Sequence, residues 1–446
     1  MKAKQKLLQI CLLGMVLLSS FIGSAQPVTK IAAGVDFTLF IKSDGSLWTM
    51  GDTDYGQLGD GTDLSTNLPQ LIVASNITAI AGGYYHSLYV SNNGSLWAMG
   101  DDFYGELGDG RINSTTNQPE LIVPTNVTAI AAGAIHSLFI SNNASLWAMG
   151  DNSEGELGDN SFGNADRPVP IVAKGVTAIA AGYDFSLFLS NSGSLWAMGE
   201  NYDGELGAGT INYTDVPEQI VASNIIAIAA GNSYSLFISN NGSLWAMGEN
   251  QYGQLGDGTY NSTNLPEEVV SNGVVAIAAG DSHSLFLKAD GSLWGMGLNG
   301  SGQLGGSFLY STNLPVLIVP GGVTGIAAGG DHTLFLKGDG SLWVLGDNGS
   351  GEAGDGNNNN VFVPVPILEP TNYSQITIQF LGNDHVRLSY VGVPESSYAL
   401  DRTFNLSPPV KWVPQATNPA SANGLLLATN TPVATTNNFW RVRSVP

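Results

Sequence analysis

The segment VTAIAAGAIHSLFISNNASLWAMGDNSEGELG, at residues 127–158, decides the fold because close copies of it recur along the chain. Its Ser-Leu-Trp triplet occurs seven times, at steps of 49 or 50 residues. A fixed period of this length is typical of a repeat architecture in which each copy forms one structural unit. The seven tryptophans are Trp48, Trp97, Trp147, Trp196, Trp245, Trp294 and Trp343.

Each copy is predicted to form four short β-strands. A strand of small residues ends at an Ala-Ala-Gly glycine, an apolar strand and a tryptophan strand follow, and an edge-like strand contains a proline. Dipeptides such as Asp44-Gly45 and Asn241-Gly242 supply the positive φ angles of a tight hairpin between the two middle strands. Four strands per copy, repeated seven times, predict an all-β, seven-bladed β-propeller.

The ends of the array suggest how the ring closes. The small-residue strand is predicted to line the crowded axis, and the tryptophans are predicted to pack between blades. The array begins with a small-residue strand at residues 29–34 and ends with an unpaired proline strand at residues 362–367. We expect this C-terminal strand to complete the first blade, which removes exposed sheet edges. An open solenoid is the alternative, but it would need atypical capping repeats.

The repeated motifs carry a family resemblance. The string Ile-Ala-Ala-Gly-x-x-His-Ser-Leu-Phe, then Gly-Ser-Leu-Trp-x-Met-Gly-Asp-Asn and Gly-x-Leu-Gly, resembles the regulator of chromosome condensation repeat over residues 28–369. The seventh copy departs from it with Ala353 in the leucine position. The resemblance is nearest in type to the family's secreted bacterial β-lactamase inhibitory propellers. It implies a closed propeller that binds a target through loops on one face, without identifying that target.

The N-terminal segment is predicted to be a signal peptide at residues 1–25. Three lysines precede an apolar stretch that is too short to span a membrane, and small residues precede the cleavage site after Ala25. An uncleaved anchor is the alternative. A secreted, periplasmic or cell-surface location in a bacterium follows, with no membrane insertion after cleavage. Cys11 is the only cysteine, so the mature chain has no disulfide.

The C-terminal segment does not continue the repeat. The propeller is assigned to residues 26–370, and residues 371–446 are predicted to form a small β-sandwich-like domain. Its predicted strands are residues 375–381, 386–391, 398–402 and 439–445. A spacer, a cap on the propeller and an attachment module are the open alternatives for this segment.

Charge is distributed unevenly. Residues 27–370 carry 34 acidic against 7 basic residues, a net charge of −27, whereas residues 371–446 carry 3 acidic and 5 basic residues. A strongly negative field repels phosphate backbones and anionic lipids. We therefore expect no nucleic-acid partner for the propeller.

No catalytic motif is present in the sequence. There is no Gly-x-Ser-x-Gly motif, no phosphate-binding loop before a helix and no zinc-ligand spacing, so we expect a non-enzyme with no cofactor and no metal. Calcium on Asp52 with Asp54, or on Asp101, Asp102 and Glu106, is the alternative, in a stabilising role.

Four histidines share one repeat position, three residues after the Ala-Ala-Gly glycine. Phe37, Phe185 and Tyr234 occupy it in the other copies, which indicates a packing position. We expect these histidines to be structural, each with a hydrogen bond to a neighbouring backbone group. They are His86, His136, His283 and His332.

Function in a repeat array is expected where the copies differ. The pairs before the histidine position and before Gly-x-Leu-Gly vary most, and aromatic residues gather there. Tyrosines rimmed by acids are typical of protein-binding surfaces. We predict a secreted binding scaffold with a protein or glycan partner; a guanine-nucleotide exchange factor and a polysaccharide-acting enzyme are the alternatives. The predicted partner-binding residues are Tyr55, Tyr84, Tyr85, Phe103, Tyr104, Tyr183, Tyr202 and Tyr252.

Overall fold

The computed structural model describes residues 26–306 and 310–367, together with the backbone of six strands between residues 376 and 445. Within these residues, no helix is long and apolar enough to cross a membrane. Pro27–Leu368 form one compact unit. The predicted signal peptide lies outside the described residues.

Seven sheets of four antiparallel strands make up this unit, and each sheet uses four strands that are consecutive in sequence. The innermost strands are β1 (Val28–Ala33), β5 (Ile77–Gly82), β9 (Val127–Ala132), β13 (Val176–Ala181), β17 (Ile225–Ala230), β21 (Val274–Ala279) and β25 (Val323–Ala328). The second strands are β2 (Phe37–Lys42), β6 (His86–Ser91), β10 (His136–Ser141), β14 (Phe185–Ser190), β18 (Tyr234–Ser239), β22 (His283–Lys288) and β26 (His332–Lys337).

The two outer positions of each sheet follow the same pattern. The third strands are β3 (Leu47–Gly51), β7 (Leu96–Asp102), β11 (Leu146–Gly150), β15 (Leu195–Gly199), β19 (Leu244–Gly248), β23 (Leu293–Leu298) and β27 (Leu342–Gly346). The outermost strands are β4 (Thr66–Val73), β8 (Ser114–Val123), β12 (Ala165–Val172), β16 (Thr214–Val221), β20 (Thr263–Val270), β24 (Ser311–Val319) and β28 (Val361–Pro366). Blade 1 is β1–β4, and blades 2 to 7 follow in order, which confirms the predicted seven-bladed β-propeller.

Small residues line the axis for a steric reason. A Cβ added to Gly83 would lie 2.5 Å from the His86 ring and 2.5 Å from the carbonyl oxygen of Gly133 in the next blade. Gly182 is crowded in the same way by the ring of Phe185, which a Cβ would approach to 2.1 Å. The glycine after each innermost strand therefore makes room for the ring three residues later.

Each tryptophan stacks on an aromatic residue of the second strand in its own blade. In blade 3 the ring centroids of Phe139 and Trp147 are 6.0 Å apart and the planes differ by 1°. The Trp147 Nε1–H donates to Ser145 Oγ at 2.8 Å. Trp97 packs against the hydrophobic cluster shared by blades 1 and 2. All seven indoles remain half-buried, so they are less enclosed than the sequence predicted.

Ring closure differs from the prediction. The C-terminal strand β28 pairs with β27 of its own blade, with Val344 opposite Val365, and does not enter the first blade. Blade 1 is completed instead by β4, which pairs with β3. The prediction was wrong because the proline strand follows the tryptophan strand of the same blade. From the sequence alone, a proline strand that ends its own blade cannot be distinguished from one that begins the next blade.

The ring closes by contacts between the first and last blades. The Val28 amide donates to the Gly340 carbonyl at 2.9 Å, and the Gly330 amide donates to the Val35 carbonyl at 3.0 Å. Closure therefore uses the same kind of blade-to-blade contact as the other junctions, with no exchanged strand.

One hydroxyl group crosses every blade junction. A serine or threonine of each second strand donates to the carbonyl of the variable residue of Gly-x-Leu-Gly in the preceding blade, at 2.7–3.0 Å. At the closing junction, Thr38 Oγ1 donates to the Glu352 carbonyl at 3.0 Å. The donors are Thr38, Ser87, Ser137, Ser186, Ser235, Ser284 and Thr333.

The C-terminal region contains two three-stranded sheets, taken here by themselves. One has the strand order β29 (Ile376–Gly382), β30 (His385–Val391), β33 (Leu425–Asn430). The other has the order β32 (Val413–Pro419), β31 (Ser397–Thr403), β34 (Phe439–Val445). Strands β32 and β33 were not predicted from the sequence, and the β-sandwich-like domain stays a prediction.

Thr38→Val tests whether the hydrogen bond at the closing junction contributes to the stability of the fold. The substitution keeps the shape of the side chain but leaves the buried Glu352 carbonyl without its donor, which should lower the free energy of unfolding by about 1–3 kcal/mol. Thr333→Val is the matched control at the junction of blades 6 and 7, where the hydroxyl donates to the Gln303 carbonyl at 2.8 Å. Urea denaturation should give similar losses for both variants. A loss for Thr333→Val alone would contradict a closed ring.

Candidate functional site

The two variable windows meet on one end of the ring. Because the strands of a blade alternate in direction, the turn between its first and second strands and the loop between its third and fourth strands emerge on the same side. We call the surface formed by these turns and loops in all seven blades the loop face. All eight aromatic residues predicted to bind a partner belong to it.

A tyrosine cluster occupies the centre of the loop face. The ring centroids of Tyr55 and Tyr85 are 4.6 Å apart, and the Tyr84 ring meets Tyr85 edge-on at 6.0 Å. Tyr84 also meets Tyr183 edge-on, at 5.1 Å. Tyrosines from blades 1, 2 and 4 thus form one continuous aromatic surface.

Tyr84 bridges the ring and is less available than predicted. Its hydroxyl donates to Asp281 Oδ1 of blade 6 at 3.0 Å and accepts from Asn232 Nδ2 of blade 5 at 2.8 Å. Burial, and then the Asp281 carboxylate, raise the pKa of Tyr84 far above its usual range. Tyr84 therefore stays protonated and ties three blades together across the axis.

The other predicted aromatic residues differ in exposure. Tyr55, Phe103, Tyr104, Tyr183 and Tyr202 are exposed, whereas Tyr85 and Tyr252 are half-buried. Phe103 and Tyr104 of blade 2 form a T-shaped pair at 5.4 Å. Six tyrosines and one phenylalanine of the predicted set thus leave some ring surface open to a partner.

The loop face carries further aromatic residues that were not predicted from the sequence. Phe162 and Tyr213 pack edge-on at 5.7 Å, and Tyr310 lies 6.3 Å from Tyr252. Exposed aromatic side chains in the loops between third and fourth strands include Phe162, Tyr213, Tyr260 and Tyr310. An aromatic residue among Asn, Ser and Thr residues could have identified these positions in the sequence. They lie outside the two variable windows, which were the only loop segments compared.

The axis itself is too narrow for a ligand. The cavity between the innermost strands encloses about 70 Å³ and is lined mainly by alanine and glycine, with Tyr84 and Tyr183 beside it. Small-molecule sites commonly enclose about 300–1,000 Å³. A partner would therefore contact the loops rather than enter the channel.

Positive charge lies at the opposite end of the ring. Three lysines of the propeller end second strands: Lys42, Lys288 and Lys337. Lys30 lies near the start of the first strand β1, and Lys174 lies in the loop that leads into the first strand β13. Arg111, on the loop face, is paired with Asp109 and Glu120. Arg167 lies in the outermost strand β12.

Acidic residues surround the tyrosine cluster. Burial, and then repulsion from Asp347, Asp52 and Asp331, raise the pKa of Asp36 to about 6. Burial, and then repulsion from neighbouring acids, raise the pKa of Asp184 to about 7. The repulsion shows that acidic side chains are concentrated on the loop face.

A second row of polar residues lies buried beneath the loop face. The variable residue of Gly-x-Leu-Gly is fully or almost fully buried in every blade, and one side-chain oxygen accepts a local backbone amide at 2.8–3.1 Å. Among these residues the sequence singled out only Glu106, as an alternative calcium ligand. They are Gln57, Glu106, Glu156, Glu205, Gln254, Gln303 and Glu352.

Glu106 takes the place of a glutamine in this row. In blade 1, Gln57 Nε2 donates to Asp52 Oδ2 at 2.9 Å. In blade 2, Glu106 Oε1 is buried without a partner, with the Asp101 carboxylate within hydrogen-bonding reach. Burial, and then the charges of Asp101 and Asp102, raise the pKa of Glu106 to about 8. A protonated Glu106 reproduces the donor that glutamine supplies in blade 1.

The histidines serve the junctions. His86 Nε2 lies 2.9 Å from Ser137 Oγ of the next blade, and that hydroxyl donates to the Glu106 carbonyl. Nε2 must therefore carry the proton and donate. Burial, and then His136, lower the pKa of His86 to about 3, so the ring is neutral at physiological pH.

The hydroxyl partners of the histidines were not predicted from the sequence, whereas the predicted backbone contacts occur for His283 with Gly330 and for His332 with Val35. His136, His283 and His332 also bond hydroxyl groups of the next blade, at 3.0–3.3 Å. Tyr234, in the same repeat position, does reach the backbone, donating to the His283 carbonyl at 2.6 Å.

Comparisons with known proteins agree on the repeat. The regulator of chromosome condensation (RCC1) repeat profile matches residues 44–90, 93–140, 143–189, 192–238, 241–287 and 290–336. A second profile of this repeat matches residues 28–57, 77–106, 127–156, 176–205, 225–254, 274–303 and 323–352. No curated protein sequence matches the chain significantly.

Solved structures share the fold. Human WBSCR16 is similar with a TM-score of 0.67 and 24% identity, over 74% of this chain and 96% of that chain. Yeast RCC1 (Prp20) bound to Kap60 has a TM-score of 0.66 and 22% identity, over 79% of this chain and 86% of that chain. Prp20p from Saccharomyces cerevisiae, described with its binding properties to Gsp1p and histones, has a TM-score of 0.64 and 22% identity, over 79% and 89% of the two chains.

Glu106→Gln tests the buried proton. The folded protein holds this proton up to about pH 8, whereas an unperturbed glutamic acid loses it near 4.5. Glu106 therefore stabilises the fold most below pH 4.5, and its contribution falls as the pH rises to about 8. Glu106→Gln should raise the free energy of unfolding at pH 8 and flatten its pH dependence between pH 5 and 8 by about 1.4 kcal/mol per unit.

The reverse substitution is the control. Gln57→Glu should lower the stability at pH 8 and steepen the same pH dependence by a similar amount. Urea denaturation across this pH range measures both variants. Parallel curves for wild type and Glu106→Gln would mean that Glu106 is ionised in the folded protein.

Proposed function

Because the chain belongs to the regulator of chromosome condensation repeat family, we propose that it is a binding scaffold whose loop face grips a basic protein. The observation that supports this most is the tyrosine cluster of Tyr55, Tyr85 and Tyr183 within a rim of acids. Tyrosine supplies a large contact area at low conformational cost, and hot spots are enriched in it.

Electrostatics favours the same partner. The lysines lie away from the loop face and Arg111 is paired with acids there, so an approaching basic surface meets a net negative field. Such a field accelerates association and selects against acidic partners and phosphate backbones. The aromatic centre then supplies the apolar burial on which affinity depends.

We further propose that the protein acts without catalysis and outside the cytoplasm. In the described propeller, the buried histidines and glutamates lie at the blade junctions and do not line an open cleft. The predicted signal peptide supports the location. A glycan is the second class of partner that exposed rings would suit.

A guanine-nucleotide exchange factor for a small GTPase is the alternative function. The similarity to yeast RCC1 (Prp20) favours considering it, because that protein is described with its binding to Gsp1p and histones. Histones are basic, which suits an acidic face. In the part of the propeller that the structure describes, the seven blades are built alike, and none carries an inserted domain that would act as a wedge.

Tyr85→Ala with Tyr104→Ala tests the binding surface. A partner is first captured from secreted and envelope proteins on the immobilised chain, identified by mass spectrometry and purified. The double variant should then bind it more than tenfold more weakly by calorimetry, because two ring contacts are lost. Wild-type binding should also weaken as salt increases.

The control removes apolar surface elsewhere. Leu121 and Leu317 are exposed in the outermost strands β8 and β24, and changing both to alanine should leave the affinity unchanged. Equal affinity of the tyrosine variant and the wild type would contradict the proposed surface. Faster nucleotide release from small GTPases, or release of reducing sugar from polysaccharides, would favour the alternatives.

A further inference from the structure

Two blade junctions each gather three carboxylates. At the junction of blades 3 and 4, ligand oxygens of Asp151, Glu156 and Asp184 all lie within 4.8 Å of one another. At the closing junction of blades 7 and 1, Asp347, Glu352 and Asp36 do the same. The two groups occupy equivalent repeat positions. In both, one blade supplies two carboxylates and the next blade supplies the third.

The calcium ligands suggested by the sequence do not assemble in this way. Within the described propeller, neither Asp52 with Asp54 nor Asp101 with Asp102 and Glu106 forms a group of three ligand oxygens at this spacing. At the junction of blades 2 and 3, Ile135 stands where a third acid would be.

Other junctions show what belongs beside these acids. Gln254 Nε2 donates to Glu249 Oε2 at 3.1 Å, the first acid position of its junction. Gln303 Nε2 donates to Asp331 Oδ1 at 2.8 Å, the acid position of the following blade. The amide nitrogen of the buried row thus contacts either acid position. A positively polarised group fills the space between them.

The three-acid junctions have no such group. Glu156 is fully buried, Glu352 is 1% exposed, and Oε1 of each has no hydrogen-bond partner. Asp184 Oδ1 is also buried without a partner. One oxygen of each glutamate lies within 4.8 Å of an oxygen of each of the other two acids, so the buried carboxylate faces its own acidic group. Three carboxylates facing one another there need an added positive charge.

We propose that each three-acid junction binds a divalent cation, with Ca²⁺ as the ion of choice. Oxygens within 4.8 Å of one another can share one ion at the usual calcium–oxygen distance of about 2.4 Å. Carboxylates are the preferred ligands of hard cations, and Ca²⁺ accepts irregular geometry more readily than Mg²⁺. Water would complete the coordination of the ion.

The ion would join adjacent blades. Glu156 and Asp151 belong to blade 3 and Asp184 to blade 4, so a bound cation adds a link across their boundary. The second site lies where the first and last blades meet, at the junction that no chain connection spans. Calcium would thus stabilise ring closure.

Calorimetric titration of CaCl₂ into the EDTA-treated, dialysed full chain tests the proposal. We expect two bound ions per chain, weaker binding of MgCl₂, and a thermal midpoint several degrees higher in Ca²⁺ than in EDTA. Glu156→Gln and Glu352→Gln should each leave one ion bound, and the double variant should bind none. Each glutamine supplies the amide donor found in Gln254, so these variants should be at least as stable in EDTA as the wild type.

Glu106→Gln is the matched control, because its junction has two acids. It should still bind two ions. Absence of Ca²⁺ binding at millimolar concentration would overturn the proposal. It would mean that protonation of the carboxyl groups relieves their repulsion instead. Two bound ions in the Glu156→Gln, Glu352→Gln double variant would also overturn it, since the ions would then lie elsewhere.

Discussion

One hydroxyl group at each blade junction sets the geometry of the ring. It donates to the loop carbonyl of the preceding blade and, in four junctions, receives a histidine N–H. The carbonyl belongs to the same residue whose side chain lies beneath the loop face. The junction therefore fixes the height of each loop relative to its neighbour. A binding surface that spans several blades depends on that registration.

The number and type of blades followed from the sequence because both rest on local rules. The period, the hairpin dipeptides and the small-residue strands each reflect one steric requirement, as Gly83 beneath His86 illustrates. The assignment of residues 362–367 to the first blade failed because a cyclic repeat has no intrinsic starting point. Shifting the unit by one strand leaves the pattern unchanged, and only the observed pairing of β28 with β27 settles it.

The site was predictable in outline and not in detail. The two variable windows identified the loop face, since variation marks positions free of packing. Tyr84 was counted among the free rings because its partners Asp281 and Asn232 are distant in sequence. Apart from Glu106, the buried glutamates were not singled out, because Gly-x-Leu-Gly is typical of a polar turn. These glutamates lose their contact with water only when the next blade covers them. The sequence of a single repeat therefore does not show that they are buried.

Closure without an exchanged strand makes every blade an uninterrupted stretch of chain. The covalent gap falls between blades, so no sheet depends on a strand arriving from the far end of the sequence. Such a ring is suited to circular permutation, since new termini opened between any two blades would leave all seven sheets whole. Gain or loss of an entire unit would likewise preserve strand pairing and alter only the wedge angle. The size of the ring is thus a property of lateral packing rather than of chain connectivity.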